Sequence, residues 1–134
     1  MKTLIVEDDF SSRLMLLQIL KIYGECHLAV NGREAIDAFK MAWQGRRPYD
    51  LICLDIMMPE MDGKAVLMEI RTMKNVGGLS IGKKVKIIMT TSLSKPENSY
   101  MACEDAWDAY LTKPIDRSKL IGLINEFGLV LGGT

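Results

Sequence analysis

Tyr49-Asp50-Leu51-Ile52-Cys53-Leu54-Asp55-Ile56-Met57-Met58-Pro59 is an apolar run that ends in a carboxylate and a proline-bearing loop. Residues 51–54 read as a strand buried on both faces, the pattern of a parallel sheet. A lone charge is costly to bury, so Asp55 is expected just past the run, at the strand's carboxyl end. In an open α/β sheet that end is where ligands bind.

Outward from this strand, apolar runs alternate with segments of helical period. Residues 3–6 predict a first strand, and 10–23 a first helix with Phe10, Leu14 and Leu17 on one face. Residues 27–30 predict a weaker second strand. A second helix opens at Asn31, which can cap it, with Glu34 in capping-box spacing and Ala35, Phe39 and Ala42 along its buried stripe. Residues 63–73 predict a third helix that turns Val66, Leu67 and Ile70 inward. Residues 85–89 predict a fourth strand, 96–105 a polar fourth helix, and 109–111 a short fifth strand. Asp116 caps a last helix whose apolar face is Leu120, Leu123, Ile124 and Phe127, and Gly128 stops it. Residues 75–84, rich in glycine and lysine, predict a flexible surface loop. The order (βα)5 implies an α/β fold of flavodoxin-like type, a doubly wound five-stranded parallel sheet of order 2-1-3-4-5.

Bulk properties bound the function. The 134 residues are one domain's worth, and 49% are apolar, enough for a core. Seventeen basic residues balance seventeen acidic ones, so no basic field invites nucleic acid. No apolar stretch approaches the ~18 residues that span a bilayer, and no membrane insertion is expected. Met1-Lys2-Thr3-Leu4-Ile5-Val6 runs straight into acidic residues, unlike a signal peptide. Cys26, Cys53 and Cys103 are odd in number and lack a CxxC, as expected of reduced thiols in a cytoplasmic protein.

Chemistry converges on one sheet edge. Glu7 and Asp8 end the first strand and Asp55 the third, and the predicted order makes these strands neighbours. At ~4 Å and an effective dielectric of about 20, each carboxylate pair repels by about 4 kcal/mol. The cluster must hold a cation or raise a pKa, and hard oxygen donors favour Mg²⁺, with Mn²⁺ as the alternative ion. Thr91 closes the fourth strand and Lys113 follows the fifth. Carboxylates, a metal, a hydroxyl and an ammonium together suit phosphoryl transfer to a carboxylate. Asp55 would be the nucleophile, with Lys113 and Thr91 on phosphoryl oxygens.

Four segments now carry a resemblance. Ile5-Val6-Glu7-Asp8-Asp9, Leu54-Asp55-Ile56-Met57-Met58-Pro59 with Met61-Asp62-Gly63, Ile87-Ile88-Met89-Thr90-Thr91-Ser92, and Tyr110-Leu111-Thr112-Lys113-Pro114-Ile115 resemble the receiver domain of two-component response regulators, in order and in spacing. The resemblance implies one receiver domain over residues 1–134 with no output domain visible, although an excised piece of a larger regulator would read the same. It implies that Asp55 is the phosphoacceptor, forming 4-aspartylphosphate. Asp8, Asp55 and the Met57 backbone carbonyl would bind Mg²⁺, with Glu7 acting partly through water. Arg13, five residues after Asp8, selects the Glu7/Asp8 pairing over Asp8/Asp9. Thr91 and Tyr110 would be the switch pair, and Lys113-Pro114 a cis peptide.

The implied donor is a sensor histidine kinase or a histidine phosphotransfer protein. The implied readout face is the fourth helix, fifth strand and last helix, in a monomer or a weak phosphorylation-dependent dimer. No turnover enzyme is expected, only self-catalysed phosphotransfer and slow self-dephosphorylation. Met57 and Leu93, two residues after Asp55 and Thr91, are both apolar and cannot orient an attacking water. An aspartyl-phosphate-forming phosphohydrolase is the alternative, and Met57 stands where it would want a second carboxylate.

Three features are discounted or set apart. Gly77-Gly78-Leu79-Ser80-Ile81-Gly82-Lys83-Lys84 nearly spells a phosphate loop, but Lys84 replaces the Ser/Thr and a strand follows. His27, the sole histidine, lies on the weak strand far from the acids, and a packing or surface role is expected. Trp107 is unusual for the family at its position, and is expected either to pack under the fourth helix or to contact a partner.

Overall fold

All five strands pair in parallel, in the order β2-β1-β3-β4-β5. The structure, a computed structural model, describes residues 1–58, 61–92 and 106–130. Along the chain these contain β1 (Lys2–Val6), α1 (Phe10–Leu20), a 3₁₀ turn (Lys21–Tyr23), β2 (Glu25–Ala29) and α2 (Gly32–Gln44). There follow β3 (Leu51–Asp55), α3 (Gly63–Arg71), β4 (Lys86–Thr91), β5 (Ala109–Thr112) and α4 (Arg117–Glu126). The doubly wound sheet is thus as expected. The polar helix expected over 96–105 lies outside the described residues, as do Leu93 and Cys103.

Strand alternation sorts the core into two layers. Ile52, Leu54, Ile87 and Met89 face α2 and α3, against Ile36, Phe39, Val66, Leu67 and Ile70. Ile5, Cys53, Ile88 and Leu111 face α1 and α4, against Leu16, Ile19, Leu20, Leu120 and Ile124. Leu51 to Leu54 of β3 are buried, as their apolar run requires, and Asp55, expected just past that run, is instead the buried last residue of the strand. Burial pushes the Cys53 thiol up to about 12, leaving it an inert core group.

Each described α-helix starts on a side-chain cap. Asp9, Asn31, Asp62 and Asp116 accept hydrogen bonds from the N–H groups of Ser12, Glu34, Ala65 and Lys119. A cap of this kind contributes about 1 kcal/mol. Glu34 reaches back to the N–H of Val30, which removes Val30 from the second strand. That strand therefore covers 25–29 and not 27–30, and it ends where the Glu7 N–H donates to the Ala29 carbonyl. Gly128 takes a positive φ of 73° just past α4, as expected of a helix stop.

Two expectations are corrected. The stripe of Phe10, Leu14 and Leu17 is not the buried face of α1: Phe10 is 67% and Leu14 41% exposed, while Leu16, Ile19 and Leu20 are buried. This helix is apolar on nearly every side, so its own period does not choose a face; contact with the sheet does. Residues 75–84 are a stitched turn and not a loose loop. Lys74 and Ser80 form an antiparallel bridge, and Asn75 exchanges backbone bonds with Gly78 and Leu79 while its side chain accepts from the Leu79 N–H. Ile81 is buried, and Arg71 donates to the carbonyls of Gly82, Lys83 and Val85 while pairing with Asp108 at 2.9 Å.

Candidate functional site

The β1–β3 pairing aligns Val6 with Leu54, so the next residues, Glu7 and Asp55, emerge side by side at the carboxyl edge. Glu7 is fully buried, Asp55 nearly so, and Asp8 exposed. Each offers a carboxylate oxygen, and these three oxygens lie within 4.8 Å of one another. The Asp9 N–H donates to Glu7 Oε1 at 3.2 Å, and the Met57 N–H to Asp55 Oδ1 at 3.1 Å. Arg13 donates to the backbone carbonyls of Glu7 and Asp8 at 3.0 and 3.3 Å, tying this turn to α1.

Lys113 completes the cluster from β5. Its N–H donates to the Thr91 carbonyl, and the Lys113-Pro114 peptide is cis, as expected. The ammonium lies 3.0 and 2.9 Å from the two oxygens of Glu7 and 3.4 Å from Asp55 Oδ2. Burial, and then the negative charge of Glu7, push the Asp55 carboxyl up to about 7, against the pull of Lys113 and the Met57 N–H. Burial alone would lower Lys113, but its hydrogen bond to Glu7 and the charges of Asp55 and Glu7 outweigh that and raise it.

One ammonium thus faces three carboxyl groups, and the site is short of positive charge. Glu7 Oε2 is buried, and its neighbour among the described residues is the Lys113 ammonium at 2.9 Å. An all-oxygen donor set with a single ammonium to balance its carboxylates fits a hard divalent cation. Met57 sits beside this cluster through its N–H, and its carbonyl belongs to the neighbouring peptide of the same loop.

Thr91 and Tyr110, expected as a switch pair, lie on the other side of the sheet. Met89 pairs with Tyr110 and Thr91 with Thr112, so alternation puts Thr91 and Tyr110 on the α3 face, above Met89. Thr91 is fully buried. Tyr110 is half-buried and meets Trp107 edge-on, with ring centroids 5.4 Å apart and planes at 89°. Of the expected site residues, the structure gathers Glu7, Asp8, Asp55 and Lys113 into direct contact range. It holds Thr91 at the adjoining strand end and Tyr110 one layer below.

Sequence reasoning passed over Thr90. It is register-paired with Asp55, 1% exposed, and its hydroxyl has no hydrogen-bond partner among the described residues. Strand pairing, and not local sequence, is the signal that finds it. The discounted features stay discounted. His27 lies on the far edge strand between Tyr49 and Glu25, each at 2.6 Å. The glycine–lysine segment precedes β4, at the opposite end of the sheet. No described helix is long and apolar enough to cross a membrane.

Comparison with known proteins agrees with this geometry. The family profile described as response regulator receiver domain matches residues 3–125. The probable transcriptional regulator ycf27 of Porphyridium aerugineum is 33% identical over 120 residues, covering 89% of this chain and 44% of that protein. The osmosensing histidine protein kinase SLN1 of Saccharomyces cerevisiae is 29% identical over 128 residues, covering 94% of this chain and 10% of that protein. The chain therefore spans less than half of either relative. The receiver domain of sensor histidine kinase PA1611 from Pseudomonas aeruginosa PAO1, solved with a magnesium ion in its active site cleft, superposes with a TM-score of 0.72. It is 27% identical, with 94% of this chain and 95% of that one covered.

Proposed function

This chain belongs to the response regulator receiver domain family and takes its phosphoacceptor role in two-component signalling; from that premise we propose that Asp55 is the acceptor. An oxygen of Asp55 attacks the phosphorus of a phosphohistidine on a donor protein. The P–O bond forms as the P–N bond breaks, and the departing imidazole nitrogen takes up a proton. Lys113, already between Glu7 and Asp55, pairs with a phosphoryl oxygen, and the Thr91 hydroxyl donates to another. Glu7, Asp8, Asp55 and the Met57 carbonyl are the groups to hold Mg²⁺, or Mn²⁺ in its place. A bound divalent cation supplies charge neutralisation for the phosphoryl oxygens.

The observation that carries this reading is the shared Lys113 ammonium, within 3.4 Å of both Glu7 and Asp55, in a cluster otherwise made of carboxylates. The reaction modifies the domain itself once per phosphoryl group, so the chain acts as a switch and not as a turnover enzyme. Residues 1–134 are read as one such domain. The donor is a sensor histidine kinase or a phosphotransfer protein in the cytoplasm. Thr91 and Tyr110 transmit the change to a face of β5, α4 and the segment before β5, where Trp107 lies. An effector binds there, to a monomer or a weak phosphorylation-dependent dimer. The phosphohydrolase alternative is not favoured, since apolar Met57 holds the position of its second carboxylate.

The decisive experiment incubates the protein with Mg²⁺ and acetyl phosphate, or beryllofluoride, beside Asp55→Asn. A phosphoryl adduct that needs both Asp55 and the cation is expected. An adduct that survives in Asp55→Asn, or none in the unaltered protein, overturns the reading.

A further inference from the structure

Four side chains share the α1–α4 face at the carboxyl edge: Glu7, Asp55, Thr90 and Lys113. Asp55 pairs with Thr90, and Thr90 with Leu111, so in this parallel sheet all three side chains project to one side. Cys53, Ile88 and Leu111 lie together in the core layer on that side, which fixes the face. Lys113 stands just past the end of β5, and its ammonium meets Glu7 and Asp55 on that face. β4, whose last two residues are Thr90 and Thr91, lies between β5 and the two carboxylate-bearing strands that this ammonium reaches.

Thr90 is an odd residue for that place. Its hydroxyl is buried without a hydrogen-bond partner among the described residues, after the apolar stretch Ile87 to Met89 of the same strand. A valine would fill the same volume with no orphaned polar group. Buried hydroxyls without partners are rare, and each calls for an explanation. Thr90 is not the expected switch hydroxyl, because alternation puts Thr91 on the opposite face with Tyr110.

Lys113 has a problem that this hydroxyl solves. In the unphosphorylated protein its ammonium is committed to Glu7 and Asp55. To pair with a phosphoryl oxygen it must leave at least one of them while still inside a mostly buried site. An ammonium has three donors, and a departing one needs an acceptor along its path. We propose that Thr90 is a positioning residue, whose hydroxyl accepts a hydrogen bond from the Lys113 ammonium as that group moves from the carboxylates to the incoming phosphoryl oxygens. The inference rests on the acceptor role of Asp55 argued above. Thr90 touches neither the phosphorus nor the cation; it acts through Lys113.

The test compares Thr90→Val, which keeps shape and removes the hydroxyl, with Thr90→Ser, which keeps the hydroxyl. Each is measured with acetyl phosphate at saturating Mg²⁺, by beryllofluoride titration, by Mg²⁺ titration and by thermal melting in chelator. Thr90→Val is expected to be phosphorylated about tenfold more slowly, about 1.4 kcal/mol, the worth of one charge-assisted hydrogen bond. Its beryllofluoride affinity should fall in parallel, its Mg²⁺ affinity stay unchanged, and its melting temperature hold or rise as the orphan hydroxyl is removed. Thr90→Ser should lie within about twofold of the unaltered protein. Wild-type behaviour of Thr90→Val overturns the proposal, as does a Thr90→Ser as slow as Thr90→Val. So does a slow Thr90→Val whose beryllofluoride affinity is intact. If the unaltered chain takes no phosphoryl group at Asp55, the acceptor reading falls, and this inference with it.

Discussion

Trp107 stands edge-on to Tyr110, ring planes at 89° and centroids 5.4 Å apart, so the tyrosine of the proposed switch is held by an aromatic from its own chain. Such a pair adds about 1 kcal/mol beyond the area it buries. Any rotation of Tyr110 must alter the surroundings of the Trp107 indole. The chain has two tryptophans, so Trp43→Phe leaves Trp107 as the single emitter. Its emission should shift when beryllofluoride and Mg²⁺ are added, and the shift should vanish in Tyr110→Ala. Trp107→Ala should lower stability by about 2 kcal/mol, less than a fully buried tryptophan. If it stays folded and binds an effector as before, Trp107 serves Tyr110 alone and is no partner contact.

Asp55 gives stability a particular pH dependence. Its carboxyl is pushed up from the ordinary 3.8 to about 7 by burial and by Glu7. A carboxyl held higher in the folded than in the unfolded chain favours folding when protonated. That contribution is fully present below the unfolded value and is lost as pH rises through about 7. In chelator, the protein should therefore lose stability between pH 4 and 8, by on the order of a few kcal/mol. Asp55→Asn should flatten that slope and melt higher at pH 8. Added Mg²⁺ should close the gap by binding the ionised form. Parallel melting curves for the two proteins across this range would contradict the account.

Removing Lys113 separates its two duties. Lys113→Met leaves Glu7 and Asp55 facing each other without their shared cation. Truncating one member of a buried ionic group costs on the order of 3 kcal/mol, so the variant should melt well below the unaltered protein in chelator. Mg²⁺ should bind it more tightly, because the competing ammonium is gone, while phosphorylation by acetyl phosphate should be nearly lost. Calorimetric Mg²⁺ titration beside a phosphorylation time course reads both effects. Weaker Mg²⁺ binding would show that Lys113 organises the carboxylates rather than competing for them.

The mark on Asp55 should decay slowly. Met57, two residues on, is 56% exposed and apolar, so its side chain offers no group that could orient water. Met57→Asn should accelerate phosphate loss by about tenfold or more, the scale on which a positioned polar group assists hydrolysis. Leu93→Glu should add to it. Phosphate release timed after removal of acetyl phosphate is the measurement, and a half-life that is already short in the unaltered protein would rule the argument out.

Much of this was readable before any coordinates. β3 is placed by four consecutive apolar residues, Leu51 to Leu54, because a strand buried on both faces in parallel pairing needs such a run. The caps Asn31 and Asp116 were readable because capping is local chemistry. Glu7, Asp55 and Lys113 could be gathered because strand order alone brings their strand ends together. Failures came where the deciding contact is distant in sequence. Leu16 rather than Leu14 is buried because the sheet chooses among the faces of an evenly apolar helix. The turn at 75–84 is ordered by Arg71 and Asp108, which no local pattern announces. Alternation along the strand separates Thr91 from Thr90, but the register that sets Thr90 opposite Asp55 is a pairing between strands that no local pattern announces.

The Arg71 clamp also divides the molecule into two poles with different freedoms. Its guanidinium grips the carbonyls of Gly82, Lys83 and Val85 below the turn, while Val76 near the turn's tip is fully exposed. The turn tip lies at the amino ends of the strands, and the acidic cluster at the carboxyl ends. A fluorescent reporter or affinity handle spliced between Val76 and Gly77 would be anchored firmly and yet stand a whole sheet's length from Asp55. The pole that holds no chemistry is the one through which this protein can be watched.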